Sequence, residues 1–474
     1  MEKEEKKVGL LGLIALTVTS VVGGGVFNLM SDMAKNASVG PIIIALLISG
    51  LGMGMFVMCL NQLTTRFPEL NAGIYSFAQK GFGNFVGFVS ALGYWASIFI
   101  GNVAFGCLVF SALGYFFPIF GDGQNVYGVI GATVVLWLMH FLILRGSDFA
   151  SKINGFITVA KMVPLGIFVL TMIIAFKYNM FTADFWGTVS GNFEWGQVLP
   201  QIRKAMVSVV WVFVGVEGAV VYSARAKSKK IVAKATVLAF AIITSIYLLC
   251  TVLSFAVMSR SNIAKLDKPA MAGVMESVVG PWGAILINIG VVISVLGAWF
   301  ACTMFSGEIL FQAAEGQIFP KIFTHTNKHG APSYALLLSD GLVQFFLLSL
   351  LFSKSAYNLM ALLASSTMLV PYFFVSLSFF KLSVQEKTKN VGHIIMGALT
   401  TIYMGLVLYL SGFNYLFVTT LLFTPGILVY IWARKENKLK VFNKPEAVGA
   451  ILLAICGILC VVFMATGTID ITQM

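Results

Sequence analysis

The chain has 474 residues, of which 58% are hydrophobic and 11% charged, with a mean hydropathy of +0.91, whereas a soluble domain runs at roughly 45–50% apolar and about 25% charged. No water-soluble fold of this size covers that much apolar surface, so the sequence predicts an all-α polytopic membrane protein. The formal charge of +12 lies in short segments between long apolar runs, where it reads as a topology signal and not as a nucleic-acid surface.

A helix needs about 20 mainly apolar residues to cross the hydrocarbon core. Runs of that kind occupy 9–36, 40–64, 84–118, 124–144, 152–176, 200–224, 231–258, 281–312, 333–352, 356–380, 391–411, 413–432 and 447–466, giving thirteen predicted spans. Residues 1–8 form a short N-terminal segment, and the many similar runs that follow mark 9–36 as a first span that stays on the protein. Counting basic residues between spans puts 22 on the N-terminal side and 8 on the other. The positive-inside rule therefore predicts a cytoplasmic N-terminus and, with thirteen spans, an extracellular C-terminus in a multi-pass cell-membrane protein.

Span 1 carries Gly23, Gly24 and Gly25 at its middle, where continuous helix is costly and backbone groups are left free. At membrane depth such a break survives only inside protein or along a watery cavity. Lys161 falls near the middle of span 5, and an ionisable group at that depth is a functional-site candidate because it costs about 2.5–3.5 kcal/mol to insert. Span 6 repeats the break as Gly215-Val216-Glu217-Gly218.

Spans 1 and 6 head two five-span sets, 9–176 and 200–380, followed by helices 11 and 12 at 391–432 and an additional helix at 447–466. Interrupted segments in corresponding places of two halves point to a transporter's substrate site. A half-helix N-terminus offers free N–H groups and partial positive charge, which suits the carboxylate of an amino acid. Glu217 suits the amine of a cationic substrate or a proton.

Asp32, Glu308 and Asp340 lie nearer the predicted span ends, where hydration tolerates charge. His140, His325, His329 and His393 have no metal-ligand spacing, and neither metal nor cofactor is expected. Cys59, Cys107, Cys250, Cys302, Cys456 and Cys460 all fall in apolar runs and read as small hydrophobes. Motifs of an embedded enzyme are absent from the sequence, and no filter-like repeat suggests a channel. Lipid is the expected surroundings; a homodimer is compatible with the same apolar exterior, since lipid-facing and partner-facing side chains share one composition.

The run Ser20-Val21-Val22-Gly23-Gly24-Gly25-Val26-Phe27, with Trp211-Val212-Phe213-Val214-Gly215-Val216-Glu217-Gly218-Ala219, resembles the amino acid–polyamine–organocation superfamily, specifically its basic amino acid/polyamine antiporters. Tyr94-Trp95 and Ile100-Gly101-Asn102 in span 3, Gly280-Pro281-Trp282-Gly283-Ala284 with Leu296-Gly297-Ala298-Trp299 around span 8, and Leu369-Val370-Pro371-Tyr372 in span 10 extend the likeness over about twelve spans.

The resemblance implies a five-plus-five inverted-repeat core of the leucine-transporter type plus about three further helices, and exchange of an amino acid for its metabolic product by alternating access. By analogy Gly23, Gly24 and Gly25 hold the substrate carboxylate, Ser20 lies beside them, Trp211 and Phe213 close over it, and Asn102 reaches its polar groups. Glu217 matches a glutamate of suggested pH-sensing or gating role, and Lys161 resembles a lysine that replaces sodium in related carriers. Arginine exchangers stack a tryptophan of span 8 on the guanidinium, and aligning through the glycine–tryptophan motif puts Cys302 at that place, with Trp299 one turn away. A cation–π contact is worth about 0.5–2 kcal/mol, so its loss weakens a guanidinium preference without forbidding it. Arginine/ornithine, histidine/histamine and lysine exchange stay open on this reading, with a proton-coupled amino acid symporter as the alternative.

Overall fold

The computed structural model describes residues 7–71, 73–352, 356–386, 388, 390–466 and 469, with the side chains of 207, 210, 211, 356–359, 361, 362 and 365 outside that description. Residues 1–6 of the predicted N-terminal segment likewise lie outside it. Among the described residues the chain is all-helical, with a single isolated backbone bridge between Val8 and Ala226.

The helices run, in order, α1 (Leu10–Val21), α2 (Leu29–Ala34), α3 (Val39–Arg66), α4 (Ile74–Phe82), α5 (Asn84–Gly114), α6 (Val126–Ile143) and α7 (Ser147–Ile174). They continue as α8 (Tyr178–Thr182), α9 (Trp195–Val210), α10 (Gly218–Val221), α11 (Lys229–Ser254), α12 (Arg260–Ile263) and α13 (Ala270–Val279). The last six are α14 (Pro281–Glu315), α15 (Ser333–Ser349), α16 (Ala356–Gln385), α17 (Val391–Leu410), α18 (Phe413–Glu436) and α19 (Lys444–Ala465). Eleven of them are long and apolar enough to cross a membrane. The predicted spans 1 and 6 are the exceptions, each divided into short helical pieces at its glycines.

Their packing places α5 and α14 at the centre, the most enclosed of the long helices, and α19 at the rim. On α19 the aliphatic side chains of Ile451, Leu452 and Ile458 are exposed, as expected of a face in lipid. Close helix approach depends on missing side chains. A Cβ at Gly52 would strike the Tyr403 ring, one at Gly426 would strike Leu92, and one at Gly457 would strike Thr424. These glycines join α3 to α17, α18 to α5, and α19 to α18.

Two acidic residues assigned from sequence to hydrated span ends are buried instead. Asp340 is fully enclosed between α15 and α6 and accepts His140 Nδ1 at 2.7 Å. Glu308, 1% exposed on α14, accepts Arg225 Nε at 3.0 Å and the Gln312 amide at 2.9 Å. A carboxylate inside a bundle is tolerated only when paired, and the basic partners, His140 and Arg225, come from elements remote in sequence. Asp32 differs, sitting 38% exposed beside Lys35 and Lys268 at 3.7 and 3.8 Å.

Candidate functional site

The break in span 1 follows from its carbonyl and amide accounts. The α1 helix stops at Val21, Gly23 N–H turns back to Val21 O at 2.8 Å, and a short 3-10 turn over Gly25–Phe27 leads into α2. Helix ends leave carbonyls without intrahelical donors, and here those of Thr19, Val21, Val22 and Gly23 find side chains. Lys161, fully buried on α7, donates from Nζ to Thr19 O at 3.0 Å and Val22 O at 2.6 Å. Tyr247 on α11 donates to Val21 O at 3.1 Å, and Ser294 on α14 to Val22 O at 2.8 Å and Gly23 O at 3.2 Å. An ammonium at the negative end of a helix dipole is stabilised there. On the donor side, among the described residues, the amides of Gly24 and Gly25 bond to no protein group.

The second break lies between a 3-10 turn over Trp211–Phe213 and α10. Gly215 has φ +102°, a backbone state that glycine enters without strain. Its N–H donates to the Tyr372 hydroxyl at 3.0 Å, and that hydroxyl donates in turn to Glu217 Oε2. Ser20 Oγ reaches Gly215 O at 3.3 Å, joining the two breaks directly.

Between them lies a cavity of about 240 Å³, which suits a small solute, since pockets for drug-sized ligands run to roughly 300–1,000 Å³. Span 1 contributes Ser20 and Gly23–Gly25, span 6 contributes Val212, Val214, Gly215 and Glu217, and α14 contributes Cys302 and Phe305. The wall from α5 includes Tyr94, Ser97 and Phe105; Tyr247 and Met368 complete the enclosure. Glu217 is fully buried and the only charged residue lining the cavity among those described, and its Oε1 has no partner. One end of the lining thus offers free N–H groups and another a carboxylate, a match for a zwitterion that also bears a cationic group.

Of the residues singled out from sequence, Ser20, Gly23, Gly24, Gly25, Glu217 and Cys302 line this cavity. Lys161 stands behind it, holding the carbonyl side of the first break. Phe213 is buried beside Tyr247 and Phe240 and lines a neighbouring apolar cleft with Leu47 and Thr244. Asn102 is buried against Thr303 at 3.2 Å, and Trp299 is fully enclosed; neither reaches the lining. The Trp211 backbone forms the turn at the second break, while its side chain lies outside the described residues. The sequence reading assigned no site role to Tyr94, Ser97, Tyr247 or Tyr372. The signal for the tyrosines was a phenol at midspan depth, where a buried O–H needs a partner.

A bundle of membrane-crossing helices with a solute-sized cavity between two broken ones defines a multi-pass transport protein. The chain belongs to the amino acid permease family, whose model matches residues 8–426. It is 39% identical over 474 residues to the arginine/ornithine antiporter of Latilactobacillus sakei, covering 99% of both chains. It is 40% identical over 457 residues, 94% of both chains, to the arginine/ornithine antiporter of Pseudomonas aeruginosa. An arginine/ornithine antiporter of Lactococcus lactis subsp. cremoris is 36% identical, with 97% of this chain and 90% of that one covered.

Proposed function

We propose that this chain is a secondary transporter that exchanges arginine for ornithine across the cell membrane by alternating access. The observation that carries the reading is the meeting of the two helix breaks around one small cavity, with unbonded amides at Gly24 and Gly25 and a half-free carboxylate at Glu217. The choice of arginine and ornithine rests on the names of relatives that align along nearly the whole chain.

In this reading the amides of Gly24 and Gly25 bind the substrate α-carboxylate, and Glu217 faces its cationic part. Lys161 holds the carbonyls of the first break through its Nζ, in the place a coupling cation would fill. Cys302 leaves room at the span 8 position where a tryptophan would stack on a guanidinium, which suits a carrier that must also release ornithine. Trp211 and Phe213 belong to the turn that closes over the substrate. Residues 9–176 and 200–380 form two five-span repeats, and the N-terminus faces the cytoplasm.

Counterflow tests the proposal. Liposomes loaded with unlabelled ornithine are expected to take up labelled arginine faster than empty ones, and the reverse pairing to behave alike, whether or not a proton ionophore is present. Entry that ignores the internal amino acid and follows a pH gradient would instead establish proton-coupled uptake.

A further inference from the structure

Outside the substrate cavity, a surface groove of about 560 Å³ lies between the N-terminal parts of α1 and α7. Its mouth carries Lys7, Lys152 and Lys227, against one acidic residue among those described, Asp148, which is already engaged by Lys152 Nζ at 2.9 Å. Among the described residues, two of the three ammoniums therefore have no carboxylate partner in the groove. Deeper in, the lining turns apolar through Ile14, Ala15 and Val159. Gly155 forms part of the floor, and a Cβ added there meets nothing within 4 Å. Leu11 at 81% exposure and Val159 at 67% present aliphatic surface to the surroundings.

A basic rim leading into an apolar channel on a membrane-facing surface has the charge and polarity profile of one ligand class. We infer that this groove binds an anionic phospholipid, with the headgroup phosphate on Lys7, Lys152 and Lys227 and an acyl chain lying over Gly155 between α1 and α7. Basic residues at a membrane surface attract anionic headgroups, and the acyl chain covers surface that would otherwise face shifting bulk lipid.

The location gives the lipid mechanical consequence. The α1 helix is the first half of the broken span, and it is tied to α7 by Thr158 Oγ1 donating to Ala15 O at 3.2 Å and by Lys161. An acyl chain wedged along this seam bears on the joint that alternating access has to move. This consequence rests on the transport reading above, whereas lipid occupancy does not.

Occupancy is therefore measured apart from transport, by native mass spectrometry of the full chain extracted from vesicles containing equal phosphatidylglycerol and phosphatidylcholine. The expected result is retention of one phosphatidylglycerol, weakened about five-fold by each of Lys152→Ala and Lys227→Ala, the loss that roughly 1 kcal/mol per surface lysine implies. Gly155→Trp, whose Cβ enters open space and whose ring would occupy the groove, is expected to expel the lipid while leaving the lysines in place. Equal retention of phosphatidylcholine, or unchanged retention in Gly155→Trp, would overturn the proposal. Displacement of the bound species by millimolar inorganic phosphate would overturn it too, by making the site one for a free anion.

Discussion

At the residue scale, the three glycines of the first break are not interchangeable. A Cβ at Gly23 would press on Ala298 at 3.2 Å and Phe105 at 3.4 Å, whereas at Gly25 it meets only the Tyr247 hydroxyl at 3.7 Å and Val212 at 3.9 Å. Gly25→Ala is thus expected to fold normally yet raise the KM for counterflow about ten-fold or more, the cost of one methyl in a fitted site. Gly23→Ala should instead lower the thermal midpoint of the purified protein. Equal KM values for Gly25→Ala and the parent would remove that amide from the carboxylate contact.

Glu217 gives a second residue-scale prediction. It is the cavity's only charged group among the described residues and keeps one oxygen free, so Glu217→Gln removes a charge-assisted contact worth about 1.5–3 kcal/mol. Arginine KM should rise roughly 10- to 100-fold, and the rate should lose the part of its pH dependence that a cavity carboxylate supplies. A variant that folds, transports and keeps the parent pH profile would leave Glu217 a packing residue bonded to Tyr372.

At the scale of elements, buried pairs tie α6 to α15, two helices that pack behind the cavity-lining α5 and α14. The α6–α15 seam contains His140 against Asp340, flanked by Trp95 Nε1 donating to Ser339 Oγ at 2.8 Å and Gln344 donating to Thr133 at 3.0 Å. Removing one member strands the other in a low-dielectric interior, so His140→Ala is expected to cost about 3–5 kcal/mol of stability. The double change His140→Leu with Asp340→Leu should cost less than the two single ones together, because neither partner is left alone. Thermal unfolding in detergent reads both quantities, and simple additivity would deny the coupling.

At the scale of the whole molecule, the site is complete before the chain ends. Its lining residues run from Ser20 to Met368, and the family match closes at residue 426. The α19 helix lies beyond both, fastened to the bundle where Glu446 accepts the Phe85 amide at 3.2 Å and by the approach of Gly457 to Thr424. A chain truncated after residue 443 is expected to keep ornithine-stimulated arginine uptake while melting at a lower temperature. Loss of counterflow in a truncated protein that still inserts and purifies as a single species would give α19 a share in transport.

By itself the sequence determined the membrane setting, the helical runs, the two breaks and the two deep ionisable residues, Lys161 and Glu217. Each is a local matter, decided by hydropathy over a turn or two or by a missing Cβ. The places of Lys161 on the first break's carbonyls and of Tyr372 between Gly215 and Glu217 were decided only by tertiary structure, since the groups are some 139 to 157 positions apart in the chain. So was the burial of Asp340 and Glu308, because position along a span says how deep a side chain lies but not which way it faces. Phe213, Asn102 and Trp299 make the same point from the other side. Their spans and depths suit a cavity wall, yet the packing leaves all three out of the lining of this cavity.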